Sequence, residues 1–190
     1  MNGAEAALSV ALGIALAASV GLRVFAPLLV TGIAVKLGYL DVSPGFAWLA
    51  TVPAITMLAV ATVAEVLAYS IPAVDNLLDA VAAPAALVAG VALSAAVMVD
   101  LPPPLKWPIA VIAGGGAAGI AQGITSLLRA KSTVLTGGIA NPVLATFELI
   151  GALFVPVLAL LAPLIAVALM VLFCIVVLRL IARRRKSTPV

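Results

Sequence analysis

From Pro142 to Ala182 the only charged side chains are Glu148 and Arg179. A helix that crosses the hydrocarbon core of a bilayer needs about 20 mostly apolar residues. This stretch is long enough for two such helices, with Pro163 to bend them apart. Comparable runs lie at about 6–38, 47–70, 84–99 and 107–127, and the last two are 142–162 and 163–182. The breaks fall at DVSPG (41–45), SIPAVDNLLDA (70–80), DLPPP (100–104) and a polar window at 128–141. Of the 190 residues, 65% are hydrophobic and 9% charged, against about a quarter charged in soluble domains. That leaves too little polar surface to cover a water-soluble globule. The expected fold is an all-α polytopic membrane bundle of five or six spans, one domain over 1–182 followed by a basic tail at 183–190.

The first run is too long for one simple span. Residues 6–38 as a helix would reach about 50 Å, against a core of about 30 Å. GLRVFAP (21–27) interrupts it with a glycine, an arginine and a proline. A helix broken inside the membrane, or a re-entrant hairpin, is expected over a steeply tilted helix. Irregular backbone at that depth must be surrounded by protein or water. With six crossings and the tail inside, loops 71–83 and 128–141 are cytoplasmic and loops 39–46 and 100–106 are outside. The inside then holds Arg129, Lys131, Arg179 and the tail residues Arg183, Arg184, Arg185 and Lys186; the outside holds Lys36 and Lys106. That bias points to a cytoplasmic (inner) membrane with the C-terminus in the cytoplasm. A re-entrant first run gives five crossings and moves the N-terminus outside. MNGAEAALSV offers Glu5 and no positive residue, which argues against a cleaved signal peptide.

Much chemistry is excluded. There is no histidine, and Cys174 is the single cysteine, inside an apolar run. An internal disulfide, a Cys/His zinc site and a His-ligated haem are therefore out. Phosphate-binding loops, nucleophile elbows, metal-ligand spacings and dinucleotide fingerprints are lacking as well. No metal, no cofactor and no enzymatic activity are expected. The net charge of +3 does not mark a nucleic-acid face, because the basic residues gather in the tail; a lipid-surface role for that tail is secondary.

Three charges interrupt the apolar runs: Arg23, Glu65 and Glu148. A charge inside a span costs a few kcal/mol, so it is rarely accidental. Glu65 lies about 7–8 Å in from Ser70 and Glu148 about 9 Å in from Pro142. Both ends are cytoplasmic, so the two glutamates are expected level and close. They either line a polar cavity that binds a cation or exchanges protons, or pair with Arg23 and Lys131 to hold the bundle together. Tyr69 is placed to bond Glu65 or to join an aromatic belt; Trp48 and Trp107 read as belt residues at the outer surface. A short interfacial helix over 73–82, between two prolines, puts Asp75 and Asp79 on one wet face, on the same side as the cationic window 129–131. The candidate binding residues are Arg23, Glu65, Asp75, Asp79, Lys131, Thr136, Asn141 and Glu148. Gly115, Gly119 and Gly123 recur every four residues and form a flat strip for helix packing, within the chain or in a symmetric dimer.

LRVFAPLLVTGIA (22–34) echoes LRAKSTVLTGGIA (128–140), with six identities in thirteen positions. A weak internal repeat of this kind suits transporters built from two halves with broken helices. GLRVFAPLL, AEVLAYSIPAVDNLLDAVAAP and KSTVLTGGIANPVLATFE together resemble the blocks of the domain of unknown function 4126 family, small multi-spanning bacterial membrane proteins. The resemblance covers roughly residues 6–160. It implies that Gly21, Arg23, Pro27, Glu65, Pro72, Asp75, Asp79, Thr136, Gly137, Asn141, Pro142 and Glu148 fill the family's polar pattern. That pattern often has a charged pair where this chain has Ala68 and Tyr69. The resemblance implies a fold and a residue set, without a reaction. The leading expectation is a small transporter or channel-like protein for a small solute or ion, proton-coupled through the carboxylates. The alternative is a non-transporting scaffold or lipid-binding protein, and an intramembrane enzyme running on carboxylates ranks third.

Overall fold

The computed structural model describes residues 3–69 and 71–185, and only the backbone for residues 72–77, 79 and 180–185. Its elements are α1 (Gly3–Val20), α2 (Phe25–Lys36), a 3₁₀ turn (Pro44–Ala50), α3 (Val52–Ala68), α4 (Pro72–Val97), α5 (Pro103–Ile109), a π-helical stretch (Ala110–Gly115), α6 (Gly116–Thr136), α7 (Asn141–Leu161) and α8 (Pro163–Arg185). Four helical stretches are long and apolar enough to cross a membrane: α1, Ala80–Val97, Pro103–Thr136 and α7. The 3₁₀ turn and α3, bent by 66°, make a fifth if they count as one span. The apolar part of α8, Pro163–Arg179, is slightly shorter. The chain is a multi-pass helical bundle.

The first run is broken, and its two halves fold back on each other. On α1, Gly13 faces Ser94 and Met98 while Ala17 lies near Gly90, so α1 runs antiparallel to α4. On α2, the first amides meet Glu65 near the end of α3, and Gly32 meets Leu49 near its start. Thus α2 runs antiparallel to α3. α1 also runs antiparallel to α7, with Leu22 against Gly151 and Leu16 clustered with Ala159, whereas the second half of the run follows α7 in the same direction, from Arg23 at Ala145 to Leu37 beside Leu161. It follows that α1 and α2 oppose each other and form a hairpin with its tip at Gly21–Val24. The tip needs glycine: a Cβ on Gly21 would lie 2.3 Å from the Ala118 carbonyl oxygen. Proline fits in the first turn of α2, where Pro27 lacks an amide that would have no intrahelical partner.

α1 sits at the centre, against α4, α6, α7 and α8. Its small residues Ala15, Ala17 and Ala18 are buried and let neighbouring backbones approach. The apolar core joins Leu16, Val20 and Val24 to Leu93 and Val97 of α4 and Ala159 of α7.

Two expectations change. The separate helix at 73–82 does not exist, because α4 runs unbroken from Pro72 to Val97 through Pro84. One proline removes one backbone hydrogen bond, whereas ending the helix there would strand several in lipid. The glycine strip is also shifted. Cβ atoms on Gly115 and Gly119 would press on Val91 and Leu87, whereas Gly123 faces open space. Gly114 replaces it, held against Ser94 and the Gly90 carbonyl. The polar window resolves into the end of α6, a turn and the start of α7, with Gly137 and Gly138 at φ +62° and +87°. Those left-handed angles suit glycine and end the helix.

Candidate functional site

The hairpin tip ends on a buried ionic cluster. Arg23 and Arg129 are each 2% exposed, Tyr69 3%, Glu65 6% and Glu148 8%. Four elements converge to build it: the tip, the end of α3, and the turns of α6 and α7 that carry Arg129 and Glu148.

Glu65 holds the tip. One of its carboxylate oxygens accepts from the Val24 amide at 2.9 Å and the other from the Phe25 amide at 3.3 Å. These amides open α2 and have no intrahelical acceptor. A carboxylate at a helix N-terminus also faces the positive end of the helix dipole. Glu65 therefore acts on the break itself, from a helix 40 residues away in sequence.

Glu148 joins the two arginines. Its oxygens accept from Nε of Arg129, at 3.1 Å, and from Nη2 of Arg129. This is the two-pronged fork by which guanidinium reads carboxylate. Nη2 of Arg23 lies 3.8 Å from the same carboxylate and donates to the Ala145 carbonyl at 3.1 Å. Both guanidiniums rest on the Tyr69 ring, 3.8 Å and 3.9 Å from its centroid. Each such contact contributes about 2 kcal/mol when desolvated. Tyr69 is therefore a core residue between cations and not a member of an aromatic belt. Trp48 and Trp107 are exposed.

The structure thus brings Glu65 and Glu148 into one cluster as counting implied, with Arg23 between them as a partner, but the side chains close on one another and do not line an open cavity. Asn141 is buried and donates to the Thr133 hydroxyl at 3.0 Å, tying α6 to α7. Thr136 is exposed and serves the turn: its hydroxyl donates to the Ser132 carbonyl and accepts from the Ala140 amide. Lys131 is half-buried and makes no ion pair among the described residues. Asp75 and Asp79 lie in the first two turns of α4, and their side chains fall outside the described residues.

Arg129 is the residue that sequence reasoning missed, by counting it as a loop cation. A signal was available. Arg129 lies seven residues before Thr136, and Glu148 lies seven after Asn141. Two arms of a tight helical hairpin place such residues level. The echo Leu22-Arg23 and Leu128-Arg129 marks the same two arginines, although Gly32–Ala34 are helical and Gly138–Ala140 form a turn.

Beside the cluster is an apolar groove of about 430 Å³ between α6, α7 and α8, walled by Leu128, Phe147, Phe154, Leu169 and Phe173, and reaching Leu22 and Glu148.

Comparison with curated proteins and with solved structures gives no match. A family model described as Domain of unknown function (DUF4126) matches residues 10–183, from the first hairpin arm to the last turn of α8. That description assigns no activity, but the match spans the hairpin tip and all four elements of the cluster, and the chain belongs to this family.

Proposed function

We propose that this protein is a small transporter or channel-like protein of the cytoplasmic membrane, and not an enzyme, with the ionic cluster as its closed gate. The carrying observation is that four ionisable side chains are buried together at the tip of a helical hairpin inside the bundle. Discontinuous helices that end inside the membrane are where transporters bind solutes and coupling ions. Buried ion pairs are also poor stabilisers compared with apolar packing, so stability alone gives a weak reason for them. In this reading Glu65 and Glu148 take up protons when the pairs open, and the freed arginines and amides meet a small solute or ion. In the same reading the hairpin re-enters without crossing, so α3, α4, α5–α6, α7 and α8 make five crossings, with the N-terminus outside and the tail in the cytoplasm. Without the buried Arg129, six basic residues remain inside, Lys131, Arg179 and the four of the tail, against Lys36 and Lys106 outside, which keeps the bias.

Flux into liposomes tests this, with wild type compared against Glu65→Gln and Glu148→Gln. Loss of flux in both variants is expected. Equal flux in all three removes the carboxylates from the mechanism. A second reading, a scaffold whose charges only hold the fold, is favoured by the engagement of every carboxylate oxygen of Glu65 and Glu148. Absence of flux for every solute offered selects it.

A further inference from the structure

The groove beside the cluster has a volume in the range of small-molecule sites, about 300–1,000 Å³, and the matching make-up of apolar and aromatic walls with few polar groups. Among its lining residues Thr125 and Glu148 carry polar side chains. The Thr125 hydroxyl donates to the Gln122 carbonyl, which leaves the Glu148 carboxylate as the charged group at the inner end. That carboxylate is held as a ligand would be: gripped by the Arg129 fork, with Arg23 at 3.8 Å.

We propose that the groove and the two arginines form a binding site for an amphiphilic carboxylate, a long-chain fatty acid, with Glu148 standing in for its head group in the closed state. The hydrocarbon chain lies among Phe147, Phe154, Leu169 and Phe173, and the head replaces Glu148 on Arg129. The exchange balances by one proton. The ligand arrives from the bilayer as the neutral acid and gives its proton to Glu148. It then binds as the carboxylate, while Glu148 turns away as the neutral acid. No charge is left unpaired, which avoids the several kcal/mol that an isolated buried ion costs. Depth argues against a phospholipid head. Glu148 lies seven residues into α7, about 10 Å along the helix, and a phosphodiester cannot become neutral to get there. This inference rests on the transport reading only in taking the same cluster as the site; it names the substrate class.

The test is binding of radiolabelled palmitate to the full-length protein in phosphatidylcholine nanodiscs. Palmitate should bind at least tenfold more tightly than hexadecanol, which has the chain without the carboxylate. Glu148→Gln removes the internal competitor and should tighten palmitate binding at least tenfold, whereas Arg129→Gln should weaken it as much. Because either variant can disturb folding, Leu169→Trp fills the groove from its 45% exposed outer wall, away from the ion pairs. It should also weaken binding at least tenfold. Equal binding of hexadecanol, displacement of palmitate by an equal concentration of phosphatidylglycerol, or unchanged binding in Leu169→Trp overturns the proposal. Palmitate binding without flux of any solute sinks the transport reading and leaves this site. Flux of a small ion without palmitate binding sinks this proposal alone.

Discussion

Arg129 and Glu148 show how a buried pair behaves in a chain with so few charges. Removing one partner strands the other out of water, at a cost of about 3–5 kcal/mol, whereas replacing both by apolar residues is often neutral. Arg129→Met should therefore destabilise the protein by about that amount. Arg129→Met combined with Glu148→Leu should recover more than half of the loss. Unfolding in mixed micelles at increasing SDS measures both. A double variant as unstable as the single one would mean that the two residues do not act as a pair. Arg23 moderates the recovery, since its Nη2 keeps the Ala145 carbonyl after Glu148 is gone.

At the scale of elements, the hairpin depends on two features of different origin. Gly21 gives α1 its close approach to α6, with the would-be Cβ 2.3 Å from a backbone oxygen that cannot step aside. Gly21→Ala should cost about 1–3 kcal/mol or more, as overpacking does. Gly123→Ala is the control, because nothing lies within 4 Å of its would-be Cβ. Alanine also favours a helix over glycine by about 1 kcal/mol, so this variant should be neutral or slightly stabilised. Thermal unfolding in detergent compares the two, and equal losses would refute the close-approach argument. Glu65 supplies the second feature by capping α2. Glu65→Ala should cost about 2 kcal/mol, the upper end for a lost cap in a site that water does not reach. The loss should be local: amide hydrogen exchange in α2 should quicken while that of α4 stays slow. Uniform quickening in both helices would show that Glu65 supports the whole bundle instead.

For the whole molecule, the hairpin changes the parity of the topology. The two arms of the hairpin together add an even number of crossings to those of α3, α4, α5–α6, α7 and α8, so the two termini should lie on opposite sides of the membrane. Cysteine labelling of tags at either end, with a membrane-impermeant reagent on whole cells, reads this directly in a Cys174→Ala background. Labelling at the N-terminus alone is expected. Labelling of both ends or of neither would require an even number of crossings and would unseat the hairpin. The 34-residue stretch Pro103–Thr136 is about 51 Å long, far more than the hydrocarbon core. Across a bilayer it must therefore tilt or project, and its length carries Arg129 to the level of Glu148.

The sequence by itself determined the class of solvent, the succession of helices and the place where the first one breaks. Those follow from local quantities: the length of apolar runs, the reach of a helix per residue, and the arginine and proline that interrupt the first run at 21–27. It also put Glu65 and Glu148 at comparable depth, since depth is counted along a helix. Which groups touch is decided by rotation and packing between helices, and counting carries no such information. That is why Glu65 proves to cap backbone amides, Tyr69 proves to lie under two guanidiniums, and Arg129 leaves the loop for the core. The helix through Pro84 was also decided in three dimensions. Local preference favours a break there, and the lack of water to satisfy a broken helix overrides it.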